Sequence, residues 1–127
     1  MSIKSCVPVI PSSDITRSLR FWIDGLGFHI ADDSEMCEEG TLTFCMIHKR
    51  GMHFMLNRRA GTAAKPKDYE GVRFYWEPSD IDKTRRHLEK LGYAVSDVVE
   101  RYYGQTEFVT TDDDGFSHCF GVPTKTT

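Results

Sequence analysis

Two stretches of the chain repeat one order of apolar and polar positions. Each begins with a short apolar run, Cys6–Ile10 or Val72–Glu77, that reads as a strand. A Ser-Asp-Ile step follows, at Ser13-Asp14-Ile15 and Ser79-Asp80-Ile81. Then come apolar residues at helical spacing. In the first stretch these are Ile15, Leu19, Trp22, Ile23 and Leu26; in the second, Ile81, Thr84, Leu88 and Leu91. Ser13 or Asp14, and Asp80, stand where a side-chain oxygen accepts from the free N–H groups of a first helical turn. Both stretches end in Leu-Gly-aromatic, Leu26-Gly27-Phe28 and Leu91-Gly92-Tyr93, and glycine suits the left-handed position past a helix end. The pattern predicts helices near 14–25 and 80–91. The two copies differ in one respect: Asp14 to Gly27 is 13 positions, Asp80 to Gly92 is 12.

The remaining apolar runs predict strands at Phe28–Ala31, Leu42–His48 and Met52–Leu56 after the first helix. After the second they predict Ala94–Val99, Glu107–Thr111 and His118–Val122. Lys49-Arg50-Gly51 and Asp112-Asp113-Asp114-Gly115 read as hairpin turns; no Glu stands twelve residues on, as a helix-loop-helix calcium loop would need. The expected architecture is α+β: one domain over 1–127, made of βαβββ modules at 1–57 and 71–123 joined by a polar connector at 58–70. Neither module is large enough to bury its sheet alone. The halves must pack together or pair with halves of a second chain.

Composition narrows the function. A length of 127 residues suits one domain, and 39% apolar with 28% charged residues is ordinary for a globular one. A net charge of −3, with 16 basic residues forming no stripe, argues against nucleic acid. No apolar run reaches the length of a membrane span, and the N-terminus lacks a signal-like stretch. Four widely spaced cysteines suggest neither a zinc cluster nor a disulfide scaffold, so a cytoplasmic setting is expected.

The order of motifs resembles the vicinal oxygen chelate superfamily of glyoxalase I, extradiol dioxygenases, and fosfomycin- and bleomycin-resistance proteins. The bleomycin-resistance proteins are the nearest in pattern. The segments that carry the resemblance are Val9-Ile10-Pro11-Ser12-Ser13-Asp14, Arg20-Phe21-Trp22 before Leu26-Gly27-Phe28, and Tyr103-Gly104-Gln105-Thr106-Glu107-Phe108 before the Asp-Asp-Asp-Gly turn. The resemblance implies two βαβββ modules whose curved sheets enclose a cavity, commonly completed in a homodimer. Metal-dependent members place one His or Glu on the first and last strands of each module. Counting from the landmarks puts Val7, Leu56, Arg73 and Cys119 at those positions. Such a set does not hold a hard divalent ion. A one-residue error would bring His53 or His118 near the cavity without completing a ligand set. No metal and no cofactor are expected.

The residues expected to line a ligand cavity are Phe54, Leu56, Arg73, Tyr75, Tyr103 and Cys119. Strand alternation puts Arg73 and Tyr75 on one face and Val72, Phe74 and Trp76 on the other. Tyr103 occupies the place where the resembling proteins stack an aromatic on flat drug rings. Packing on its own sheet is the alternative. Arg73, if buried, needs a carboxylate such as Glu77 or an anionic ligand group. The acidic run Asp32-Asp33-Ser34-Glu35 and Glu38-Glu39 would draw a cationic compound, or is a solvated loop or edge strand. The resemblance implies metal-independent sequestration, by a binding protein, of a drug or antibiotic of the bleomycin type: a flat, partly aromatic and cationic small molecule. The alternative is a superfamily enzyme (lyase, isomerase or dioxygenase) with an atypical site.

Overall fold

The computed structural model describes residues 2–59 and 72–125. It divides into two units, 1–64 and 65–127. The expected connector at 58–70 lies outside the described residues beyond Arg59.

The first unit contains β1 (Val9–Ser12), α1 (Ile15–Leu19, continuing as a π-helical turn over Arg20–Gly25), β2 (His29–Ile30), β3 (Met36–Glu38), β4 (Thr41–Lys49) and β5 (Met52–Arg58). The second contains β6 (Arg73–Trp76), α2 (Ile81–Lys90), β7 (Val99–Glu100), β8 (Gln105–Thr111) and β9 (Ser117–Pro123). The class is α+β, with two curved, open sheets. Their strand orders correspond, β1-β5-β4-β2 and β6-β9-β8-β7, and in each the first strand runs parallel to the last.

Both helices start where a carboxylate caps them. Asp14 Oδ1 accepts from Arg17 N at 3.1 Å, and Asp80 Oδ1 accepts from Lys83 N at 3.0 Å. Both end at a left-handed glycine, Gly27 at φ 79° and Gly92 at φ 99°. The first helix has one more residue between these fixed ends. It takes up that residue as the π turn, in which Leu26 N bonds to the Phe21 carbonyl five residues back. In α2 the corresponding Leu91 N reaches the His87 carbonyl, four residues back.

The edge strand that follows the helix in the chain is broken in the same way in both units. β2 and β3 pair with successive parts of β4, at Ile30↔Ile47 and Met36↔Phe44. In the second unit a single bridge, Val95↔Thr110, and then β7 pair with β8. A serine hydroxyl fills each gap: Met46 N donates to Ser34 Oγ at 3.1 Å, and Val109 N donates to Ser96 Oγ at 2.8 Å. The strand expected over Ala94–Val99 is reduced to this bridge and the start of β7. The acidic run forms the loop before β3 and the edge strand itself.

Each sheet has one face packed on its helix. In the first unit Trp22 is fully buried against Phe21, Phe28 and Phe54, with ring centroids 5.3–5.9 Å apart. In the second, Phe108 stacks on Phe120 at 4.9 Å, and Phe74 stacks on His118 at 4.8 Å. His118 is locked in place from both sides. Its Nδ1 accepts from Trp76 Nε1 at 3.0 Å, and its Nε2 lies 2.7 Å from Asp112 Oδ2. Asp112 Oδ1 accepts from the N–H groups of Asp114 and Phe116, which shapes the turn before β9.

Candidate functional site

The faces turned away from the helices carry the candidate chemistry. On β6, Arg73 and Tyr75 lie on that open face, opposite Phe74 and Trp76. Register sets Tyr75 beside Cys119 on β9, and Glu107 on β8 beside Gly121. Gly121 has no side chain, and the Tyr75 ring occupies the space. A Cβ there would collide with the Tyr75 hydroxyl oxygen and stand 3.2 Å from Glu107 Cγ.

Glu107 is the centre of the arrangement. It is only 3% exposed. The Tyr75 hydroxyl donates to its Oε2, and the Tyr103 hydroxyl donates to its Oε1 at 2.5 Å. Arg101 Nε lies 3.5 Å from the same Oε1, and the Cys119 thiol donates to the carboxylate. Gln105 Oε1 stands 3.3 Å from the Tyr75 hydroxyl. Tyr103 is set on the loop between β7 and β8, where Gly104 takes φ 86° and its N–H reaches the Arg101 carbonyl.

Although their hydroxyls are anchored, the rings are open. Tyr75 is 56% exposed and Tyr103 54% exposed, and Tyr102 meets Tyr103 edge-on at 5.1 Å. Burial pushes the Glu107 carboxyl up, but bonds from Tyr103, Tyr75 and Cys119 and the Arg101 charge outweigh it and hold it below the usual range. Burial and the bond to Glu107 push Tyr75 up; the bond to Glu107 and burial do the same to Tyr103. The Cys119 thiol is pushed up to about 11 by burial and by the neighbouring carboxylate. The site therefore keeps one anion, two phenols and a thiol around neutrality. No group in it is poised to exchange a proton there.

Of the six residues singled out from sequence, the structure brings Tyr75, Tyr103 and Cys119 together around Glu107 and leaves Arg73 beside them. Arg73 is exposed, so it does not need the buried partner that its sequence position suggested. Phe54 and Leu56 lie elsewhere. Phe54 packs on Trp22 and Phe28, and Leu56 is fully buried opposite Ile10 and Cys45. The count along β5 was one residue too long. Cys119 is four residues past Gly115; the residue four past Gly51 is Met55, which pairs with Val9 as Cys119 pairs with Tyr75. The corrected set at the metal positions of the resembling enzymes, Val7, Met55, Arg73 and Cys119, still does not fit a divalent ion. His118 faces the helix side, within the Trp76–Asp112 chain.

Sequence reasoning passed over Glu107, Arg101, Gln105 and Gly121. The available signal was alternation along β8: Glu107 shares a face with Gln105 and lies opposite Phe108, so a carboxylate sits on the open face shared with Tyr75.

A family model described as the glyoxalase/bleomycin resistance protein/dioxygenase superfamily matches residues 3–120. Among solved structures, SMU.1112c superposes with a TM-score of 0.74 at 18% identity, over 95% of this chain and 100% of that one. TnmS3, an antibiotic binding protein from Streptomyces sp. CB03234, gives 0.70 at 17% identity, over 98% and 99%. The bleomycin-binding protein of bleomycin-producing Streptomyces verticillus, complexed with copper(II)-bleomycin, gives 0.61 at 20% identity, over 99% of each chain. No curated protein sequence matches. Among the described residues no helix is long and apolar enough to cross a membrane.

Proposed function

Given that the chain belongs to the glyoxalase/bleomycin resistance protein/dioxygenase superfamily, we propose that it is a metal-independent binding protein for a flat, partly aromatic small molecule, acting by sequestration. The observation that carries this reading is the pair of half-exposed tyrosine rings whose hydroxyls are tied to one buried carboxylate. Anchored rings present flat area without losing much side-chain freedom when a ligand arrives. The drug or antibiotic class of ligand is supported by the antibiotic- and bleomycin-binding proteins that share the fold. A homodimer in the cytoplasm completes the proposal. The pinned protonation states favour capture over conversion, because no acid or base at the site titrates near neutrality.

A thermal-shift screen of aromatic drugs tests this, since a ligand that prefers the folded state raises its apparent stability. With a hit in hand, Tyr103→Ala weakens binding about ten-fold or more, while Trp76→Ala mainly lowers stability. Unchanged affinity in folded Tyr103→Ala removes the tyrosine platform from the site. Conversion of the hit to product replaces the binding reading with a lyase, isomerase or dioxygenase.

A further inference from the structure

The direction of the hydrogen atoms at this site restricts the ligand further, and this inference rests on the platform reading above. A phenol has one hydrogen to donate and two lone pairs. Tyr75 and Tyr103 both commit their hydrogen to Glu107, and the Cys119 thiol turns to the same carboxylate. The Arg101 guanidinium is paired there as well. The second oxygen near the Tyr75 hydroxyl, Gln105 Oε1, is also an acceptor. Around Glu107 the two phenol hydrogens are thus directed inward, and the phenol oxygens keep lone pairs for a ligand that reaches their edge. Arg73, the neighbouring cation, is exposed.

We propose that this face selects flat heteroaromatic compounds carrying N–H donors on the ring plane and rejects analogues of the same outline without those hydrogens. A ligand lying on Tyr75 and Tyr103 strips water from their oxygens. An N–H group replaces that water, whereas a methyl group leaves the acceptors unpaired. Sites that hydrogen-bond a ligand's N–H discriminate strongly against analogues that lack it, for this reason.

The test uses two probes, 2-aminobenzimidazole and its fully N-methylated analogue, titrated against the whole chain at about pH 9.5, where both probes are uncharged and the methylated one carries no N–H, with the ring resonances of Tyr75 and Tyr103 observed by NMR. The amino compound binds at least about ten-fold tighter than the methylated one. In Glu107→Gln the new amide donates to one phenol oxygen and turns that phenol's hydrogen outward, so the ratio falls below about three-fold. Tyr103→Phe, which keeps the ring and removes one acceptor, narrows the ratio in the same direction and serves if Glu107→Gln does not fold. Equal affinities of the two probes at the tyrosines overturn the inference and leave the platform standing. A ratio unaltered in the folded variants also overturns it. If neither probe moves the tyrosine resonances at millimolar concentration, the platform reading falls, and the inference with it.

Discussion

The open faces of the two sheets are the same surface built twice with different chemistry. Where the second sheet has Tyr75 beside Cys119, the first has Val9 beside Met55. Where the second has Glu107 beside Gly121, the first has Phe44 beside Asn57. One face holds a carboxylate ringed by donors; the other holds two aliphatic side chains, a phenylalanine and an amide. Strand order, helix caps and the broken edge with its serine are shared, so the scaffold does not dictate this difference. Four positions do, and the smallest of them, Gly121, decides whether a tyrosine can lie across the sheet to reach its neighbour's carboxylate. A fold fixes where side chains meet, and the residue types at those few places set what the meeting does.

The largest expected break in the comparison lies on the helix faces. Trp22→Ala removes a fully buried indole from the first core and costs about 3–5 kcal/mol. Trp76→Ala in the second costs on the order of 2 kcal/mol, because Trp76 is half-buried and its loss mainly takes a hydrogen bond from His118. Urea unfolding of the two variants gives both values, and equal losses would remove the distinction. Next comes Gly121→Ala. Its methyl displaces the Tyr75 ring and with it the bond to Glu107, for about 1–3 kcal/mol. Ligand affinity falls at least about ten-fold. The matching Asn57→Ala in the first unit changes stability by less than about 0.5 kcal/mol. If both substitutions are silent, the gap at Gly121 is not what builds the site.

The smallest effect is one of pH. Burial holds His118 below its usual pKa, with Asp112 opposing. The unfolded chain takes up a proton on this histidine below about pH 6.5, and the folded chain resists it. Stability from His118 is therefore complete above that pH and declines as pH falls toward the lower folded value. Urea midpoints at pH 7.5 and 5.5 measure the decline, and His118→Leu flattens it. An identical pH slope in that variant would assign the decline to other groups.

The repeat was legible because it rests on local rules. Caps at Asp14 and Asp80, glycines at 27 and 92, and alternation along β6 are each decided within a few residues of chain. The count of 13 against 12 was legible as a number, while its outcome, a π turn, was not, because tertiary fixing of both helix ends had to be known first. On β5 a single residue of error moved Phe54 and Leu56 across the sheet, since strand side chains alternate at every step. Glu107 stood in a quoted motif and was not singled out. Its partners come from β6, from β9 and from the loop before β8, and no spacing rule joins such distant positions.

The π turn has one further consequence. It lets the first helix carry an extra residue while both of its ends stay anchored, as a vernier takes up a small offset without moving the jaws. Removal of that one residue within 20–25 would return the turn to ordinary α winding, as in α2, with the ends next to β1 and β2 left where they are.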